Sequence, residues 1–145
     1  MDQDNRLEQK QANVIELSGD DILAMAAASG VLATEELTIE EVAKNMVDYP
    51  SAIRMASFFK CFGDASRLRI LQALSVRDLC VKELCELLDA SQPAVSNHLR
   101  VLSQQDMVRP HRKGKNIYYS LNDWHINAII GVAMERYGLS GMEQL

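Results

Sequence analysis

Three patterns in the chain predict a mainly α fold with a small β-hairpin wing, a winged helix-turn-helix. The first is a series of short amphipathic helices, several opened by a capping residue. The second is a short helix, a polar turn and a longer helix across residues 81–102. The third is a pair of strand-forming segments around the basic turn "RKGKN", followed by one more helical stripe. A length of 145 residues suits one compact domain with a modest core. That domain is expected at 49–140, behind an acidic extension at 1–48.

Residues 1–19 are polar and expected to be mobile, and "DDILAMAAAS" (20–29) reads as a short helix ended by Gly30. "TIEEVAKNMV" opens with a capping box, in which the Thr38 hydroxyl accepts the Glu41 amide proton and Glu41 reaches back. A helix over 38–47 follows, with Pro50 marking the next boundary. "SAIRMASFFKCF" puts Ile53, Ala56, Phe59 and Phe62 near helical spacing. Gly63 interrupts it, and Asp64 is placed to cap "ASRLRILQAL", where Leu68, Leu71 and Leu74 share a face. A short helix over 81–88 runs into the turn Asp89-Ala90-Ser91. Ser91 caps the next helix, whose first turn tolerates Pro93 because no donor is missed there. This helix buries Val95, Leu99 and Leu102 and exposes Gln92, Ser96, Asn97, His98 and Arg100. Strands over 107–111 and 116–121 are joined at Gly114. The last helix runs from Asn122 or Asp123 to about Tyr137, with an apolar stripe of Ile126, Ile129, Ile130, Ala133 and Tyr137.

Composition narrows the function. Hydrophobic residues at 48% and charged residues at 24% describe an ordinary soluble globular protein. No apolar run approaches the roughly 20 residues of a membrane span, so no membrane partner is expected. "MDQDNRLEQK" has no apolar signal core, so a cytoplasmic location is expected. An odd count of 3 cysteines reads as thiols in a reducing compartment. Catalysis is not expected, because no phosphate-cradling glycine loop, Ser/His/Asp set or paired carboxylates stand out. Asp64, Asp78 and Asp89 read as caps and turn residues.

A net charge of −5 looks wrong for a nucleic-acid binder, but it hides an asymmetry. Residues 1–50 hold 11 acids and 3 bases, whereas residues 51–145 hold 9 acids and 12 bases. Within 91–122, Arg100, Arg109, Arg112, Lys113 and Lys115 face one acid, Asp106. Salt screens charges beyond about 10 Å, so a local basic strip outweighs the global sign. A reading helix needs hydrogen-bonding side chains on one face and an apolar face to hold it down. Ser91, Gln92, Ser96, Asn97, His98 and Arg100 meet the first need and suit base edges or phosphates. Arg112, Lys113 and Lys115 put three cations at a protruding turn, suited to phosphate or the minor groove.

The segment "FFKCFGDASRLRILQAL…DLCVKELCELLDASQPAVSNHLRVLSQQDMVRPHRKGKNIYYSLND" closely resembles the ArsR/SmtB family of metal- and metalloid-responsive repressors, over roughly residues 50–137. The resemblance implies a homodimer paired through the first and last domain helices. It also implies release from double-stranded operator DNA by an effector, with no cofactor required for DNA binding. The stripe Ile126, Ile129, Ile130, Ala133 and Tyr137 is consistent with a dimer face, or with packing inside its own subunit.

Metalloid-sensing members read roughly Cys-Val-Cys-Asp-Leu-Cys where this chain has Cys80 first, Cys85 last and Lys82 between. Three thiolates suit As(III) or Sb(III), and this stretch supplies two. On a straight helix, positions i and i+5 lie roughly 7.5 Å apart along the axis and roughly 140° apart around it. Cys80 is therefore expected in the loop before the helix, unless the first turn distorts when a ligand binds. Cys61 is a possible third ligand, although its setting "FFKCF" favours core packing. Zinc-type members carry Asp-x-His at the start of the last helix, which Asp123 and His125 match. Arg136 and Leu139 stand where the later ligands would be, and half a site does not hold zinc tightly.

Three readings of control follow. One is release by As(III), Sb(III) or a thiophilic divalent metal at Cys80 and Cys85. The second is a thiol redox or persulfide switch at the same residues. The third is a DNA binder with no small-molecule effector.

Overall fold

A computed structural model describes residues 19–28 and 37–139. The described elements are α1 (Gly19–Ala28), α2 (Ile39–Asn45), α3 (Tyr49–Phe62), α4 (Ala65–Val76) and β1 (Leu79–Cys80). They continue with α5 (Val81–Leu88), α6 (Gln92–Gln104), β2 (Val108–Lys113), β3 (Asn116–Leu121) and α7 (Trp124–Arg136). The expected tail at 1–18 and the stop at Ser29-Gly30 lie outside the described residues. The chain forms two compact units, Thr34–Ile126 and a second that holds α1 and the chain from Asn127 on.

Capping fixes most of the helix starts. Thr38 Oγ1 accepts the Glu41 N–H at 3.3 Å, and Glu41 Oε2 accepts the Thr38 N–H at 2.8 Å, completing the capping box of α2. The Thr38 N–H, and after it the Thr38 hydroxyl that donates to the same Oε2 at 2.8 Å, hold the Glu41 carboxyl below its usual value. Pro50 lies within the first turn of α3 and so starts that helix from inside. Asp64 caps α4 by accepting the Arg67 N–H at 2.9 Å. Ser91 caps α6, its hydroxyl accepting the Ala94 N–H at 3.4 Å.

Within the Thr34–Ile126 unit, Ile70, Leu71, Leu84, Val95, Leu99, Leu102, Met107 and Ile126 are each under 2% exposed. This core bolts α6 down by its apolar face and leaves its polar face to solvent. On α4 it is Ile70, beside Leu71 and Leu74, that is buried, while Leu68 remains half-buried. Cys61 is also in the core.

The sheet has three strands in the order β1-β3-β2, one more than the hairpin predicted from sequence. Two residues suffice for the added strand, with Leu79 opposite Tyr119 and Cys80 opposite Tyr118. The hairpin β2–β3 is in register from Val108↔Leu121 to Lys113↔Asn116, which leaves Gly114-Lys115 as a two-residue turn. Gly114 has φ +64°, where a side chain would be strained.

Candidate nucleic-acid interface

The expected contact residues occupy two adjoining elements of the Thr34–Ile126 unit, α6 and the β2–β3 tip. On α6, Gln92, Ser96, Asn97 and Arg100 are exposed, as is the capping Ser91. Arg100 Nη2 donates to Asn97 Oδ1 at 2.9 Å, so these two side chains are already ordered against each other. His98 differs: its side chain is only 21% exposed. It points partly inward, because position 98 lies beside the buried Leu99 and Val95 face.

At the tip, Arg112, Lys113 and Lys115 are all exposed. None of them forms an ion pair within the described residues. Antiparallel pairing of Arg112 with Ile117 and Lys113 with Asn116 holds the backbone beneath them. The tip is therefore a fixed turn carrying free cations, the arrangement that phosphate contact requires. His111, at the base of the wing, lies with Nε2 3.3 Å from Asp78 Oδ2 and stacks on Tyr118. The wing is thus tied to the segment just before β1.

Cys80 is the N-cap of α5, in an extended conformation, and not part of the helix body. Its N–H donates to Glu83 Oε2 at 2.9 Å, and Arg77 Nη2 donates to Glu83 Oε1 at 3.0 Å. The Cys80 N–H first, and Arg77 after it, keep the Glu83 carboxyl below its usual value. Cys85 lies within α5, and both thiols are free and half-buried. The four-residue pattern Cys80-x-x-Glu83 is a capping-box spacing, so sequence alone carried the signal for Glu83, which the reading above passed over.

Cys61 lies in the core on α3, and its Sγ–H donates to the Ser57 carbonyl at 3.8 Å. Burial raises its thiol pKa, against a smaller lowering by Arg67, so the neutral thiol is favoured there. Arg67 also donates to the carbonyls of Cys61 and Lys60, each at 3.2 Å, closing the end of α3. Asp123 uses one oxygen to accept the His125 N–H at 2.8 Å, and that oxygen lies 3.0 Å from His125 Nδ1. Among the described residues, no three His, Cys, Asp or Glu side chains come together as a metal site. A three-sulfur site for trivalent arsenic is accordingly not assembled from this chain's described residues.

Of the expected dimer-face residues, Ile126 and Ile130 are buried within the chain. Ile129 is half-buried, and Ala133 and Tyr137 are exposed. On α3, by contrast, Tyr49, Ile53 and Phe59 stand 79%, 52% and 51% exposed. They follow helical spacing with Ala56, so α3 carries an apolar stripe that the described residues leave exposed. No helix among the described residues is long and apolar enough to cross a membrane.

Known proteins resemble this one along the same stretch. The family model described as "Bacterial regulatory protein, arsR family" matches residues 64–109, from the α4 cap into β2. A transcriptional repressor SmtB homolog from Synechocystis is 40% identical over 88 residues, covering 61% of this chain and 67% of that protein. The arsenical resistance operon repressor of Escherichia coli is 41% identical over 71 residues, covering 48% of this chain and 60% of the repressor. A homodimeric winged helix-turn-helix DNA-binding domain from Mycobacterium bovis superposes with TM-score 0.57 at 18% identity, over 69% of this chain and 94% of that domain. At that identity, the match speaks for the fold alone.

Proposed function

The chain belongs to the arsR family of bacterial regulatory proteins, and from that premise we propose that it is a dimeric transcriptional repressor of operator DNA, released when the Cys80 and Cys85 thiols react or bind. The carrying observation is the pairing of two surfaces in one unit. One is a reading helix with Gln92, Ser96, Asn97 and Arg100 outward. The other is a wing tip with three exposed cations that form no ion pair among the described residues. In this reading α6 enters the major groove, and Arg112, Lys113 and Lys115 hold phosphate or line the minor groove. Ser91 sits at the N-terminus of α6, where a helix offers free N–H groups to phosphate.

The exposed stripe Tyr49, Ile53 and Phe59 on α3 supports self-association. Apolar surface of this kind, left exposed by the described residues, supports a protein contact. Ile129, Ala133 and Tyr137 remain proposed contributors from α7.

For the effector, the preferred class is a thiophilic ion of the As(III) or Sb(III) kind, with a thiophilic divalent metal next. Support comes from two half-buried thiols bracketing the start of α5 and from the similar arsenical resistance repressor. A specific observation favours a second reading: two thiols that no third metal-ligating side chain joins among the described residues suit a disulfide or persulfide switch.

One experiment separates these readings. Binding of the reduced protein to a duplex carrying its own promoter is followed with arsenite, antimonite, zinc, cadmium and an oxidant. The same panel is run on the Cys80→Ser/Cys85→Ser protein. Release by arsenite in wild type alone supports the metalloid reading, and release by oxidant alone supports the redox reading. Release that persists in the double variant removes the thiols from the mechanism. No preference for the promoter over random duplex would overturn the repressor itself.

A further inference from the structure

Among the described residues, one buried side-chain polar atom has no hydrogen-bond partner: Nδ1 of His98. It lies 3.9 Å from Asp64 Oδ1, beyond hydrogen-bonding distance. That oxygen already accepts the Arg67 N–H at 2.9 Å, and Arg67 Nη1 stands 3.9 Å from Oδ2. The Arg67 N–H is the main reason the Asp64 carboxyl is held below its usual value, with the guanidinium and the His98 ring adding to it. Asp64 thus stays ionised, facing a buried ring nitrogen that has nothing else to bond. A buried polar atom without a partner is costly, and each such atom calls for an explanation.

Protonation resolves the mismatch. The Nε2–H tautomer turns a lone pair of Nδ1 toward the carboxylate and the Nδ1–H tautomer offers it only a neutral donor, whereas the imidazolium presents a charged N–H, the stronger partner. Closing 3.9 Å to the roughly 2.8 Å of a charge-assisted bond draws α6 about an ångström toward the α4 cap. We propose that His98 is a proton-linked positioning residue of the reading helix, not a base reader, and that its imidazolium locks onto Asp64 to hold α6 in the DNA-binding pose. The inference rests on α6 being the DNA-contacting helix.

The elements packed on α6 are α4, α5 and β2. From α4 and its cap, the charged groups set at the ring are Asp64 and, behind it, Arg67. No ion pair or hydrogen bond joins the ring to a side chain of α5 or β2 among the described residues. On α6 itself, Arg100 is turned to Asn97. Because Asp64 caps α4, the lock would join two helices whose ends otherwise meet only through packing. Holding the bound pose in advance removes part of the ordering cost of binding. The sign is fixed: affinity is higher with His98 charged than with it neutral.

The test measures affinity of the full chain for the promoter duplex between about pH 6 and about pH 8, the range over which histidines change charge, at fixed salt. Wild type is expected to bind roughly three- to tenfold more tightly at the acid end, the ratio one net hydrogen bond supplies. His98→Gln and Asp64→Asn should each flatten that dependence. Asparagine keeps an N-cap acceptor, so the second variant removes charge without removing the cap. The difference in slope between wild type and each variant is the measurement. A slope in both variants as steep as that of wild type, or affinity that falls with acid in wild type, overturns the proposal. Loss of promoter preference in His98→Gln at pH 8 would make His98 a base reader and also overturn it. Absence of promoter binding by wild type at every pH would instead refute the repressor reading.

Discussion

Replacing Arg112 and Lys113 together with alanine tests the wing by a number as well as a direction. Both side chains are exposed, and neither is in an ion pair among the described residues, so their removal breaks no ion pair there. Each phosphate neutralised by a protein cation contributes about 0.9 to the slope of log affinity against log salt. Two lost contacts lower the slope by about 1.8 per wing, and a dimer with both wings engaged loses about 3.6. Between 50 and 200 mM salt, a fourfold range, wild type should therefore lose roughly 12-fold more affinity than the variant for one wing, and roughly 150-fold more for two. Fluorescence anisotropy on promoter and random duplexes over that range gives both slopes. Binding to the two duplexes should weaken alike, because phosphate contacts carry no sequence information directly. An unchanged slope would refute phosphate contact by the tip, and a loss confined to the promoter would assign these residues to base reading.

Other consequences are open to direct measurement. Phe59→Glu places a charge in the exposed α3 stripe and should shift sedimentation from dimer to monomer while circular dichroism stays unchanged. Leu84→Ala empties a site that is 0% exposed and should cost about 2–5 kcal/mol, read as a lower urea midpoint. Glu83 has a depressed pKa because of the Cys80 N–H. The clamp it forms is therefore intact above the ordinary glutamate range and is lost as pH falls through the lowered value. The Cys80 amide resonance should titrate with a midpoint below that of an exposed glutamate, and Glu83→Gln should abolish the titration.

Much of this architecture is local chemistry written in short words. Thr38 with Glu41, Asp64, and Ser91 each specify a helix start within four residues, and the observed starts follow them. Val95, Leu99 and Leu102 turn one face of α6 inward by helical period alone, which leaves the opposite face for contact. What escaped the sequence depends on pairing at a distance. The two-residue strand β1 is too short to announce itself by alternation and exists because β3 offers an edge. The approach of His98 to Asp64 spans 34 positions, and no periodicity encodes it. The stripe on α3 was legible as apolar, but one chain's sequence does not say whether such a stripe meets its own core or a second copy. The stripe on α7 shows the same ambiguity from the other side, since Ile126 and Ile130 go into the chain's own packing.

Cys80 serves two parts of the molecule at once, which bears on how thiol chemistry could reach DNA. Its backbone forms the outer rung of β1 on β3, opposite Tyr118, and Tyr118 in turn pairs with His111 of β2. Its N–H is held by Glu83, which starts α5. Cys85 lies five residues further on, about one and a half turns along the axis. In the proposed thiol mechanism, a ligand or bond that joins the two sulfurs would draw Cys80 from its extended position. That movement strains the Tyr118 rung on one side and the Glu83 clamp on the other. The rung supports the wing, to which His111 is also fixed through Asp78, while the clamp sets the start of α5, which packs on α6. Both proposed DNA contacts thus hang from one residue. A coupling of about 1–3 kcal/mol, the usual range between linked sites, would change affinity by about 5- to 150-fold. Losing one charge-assisted hydrogen bond and one strand rung is of that order, so no larger rearrangement is required.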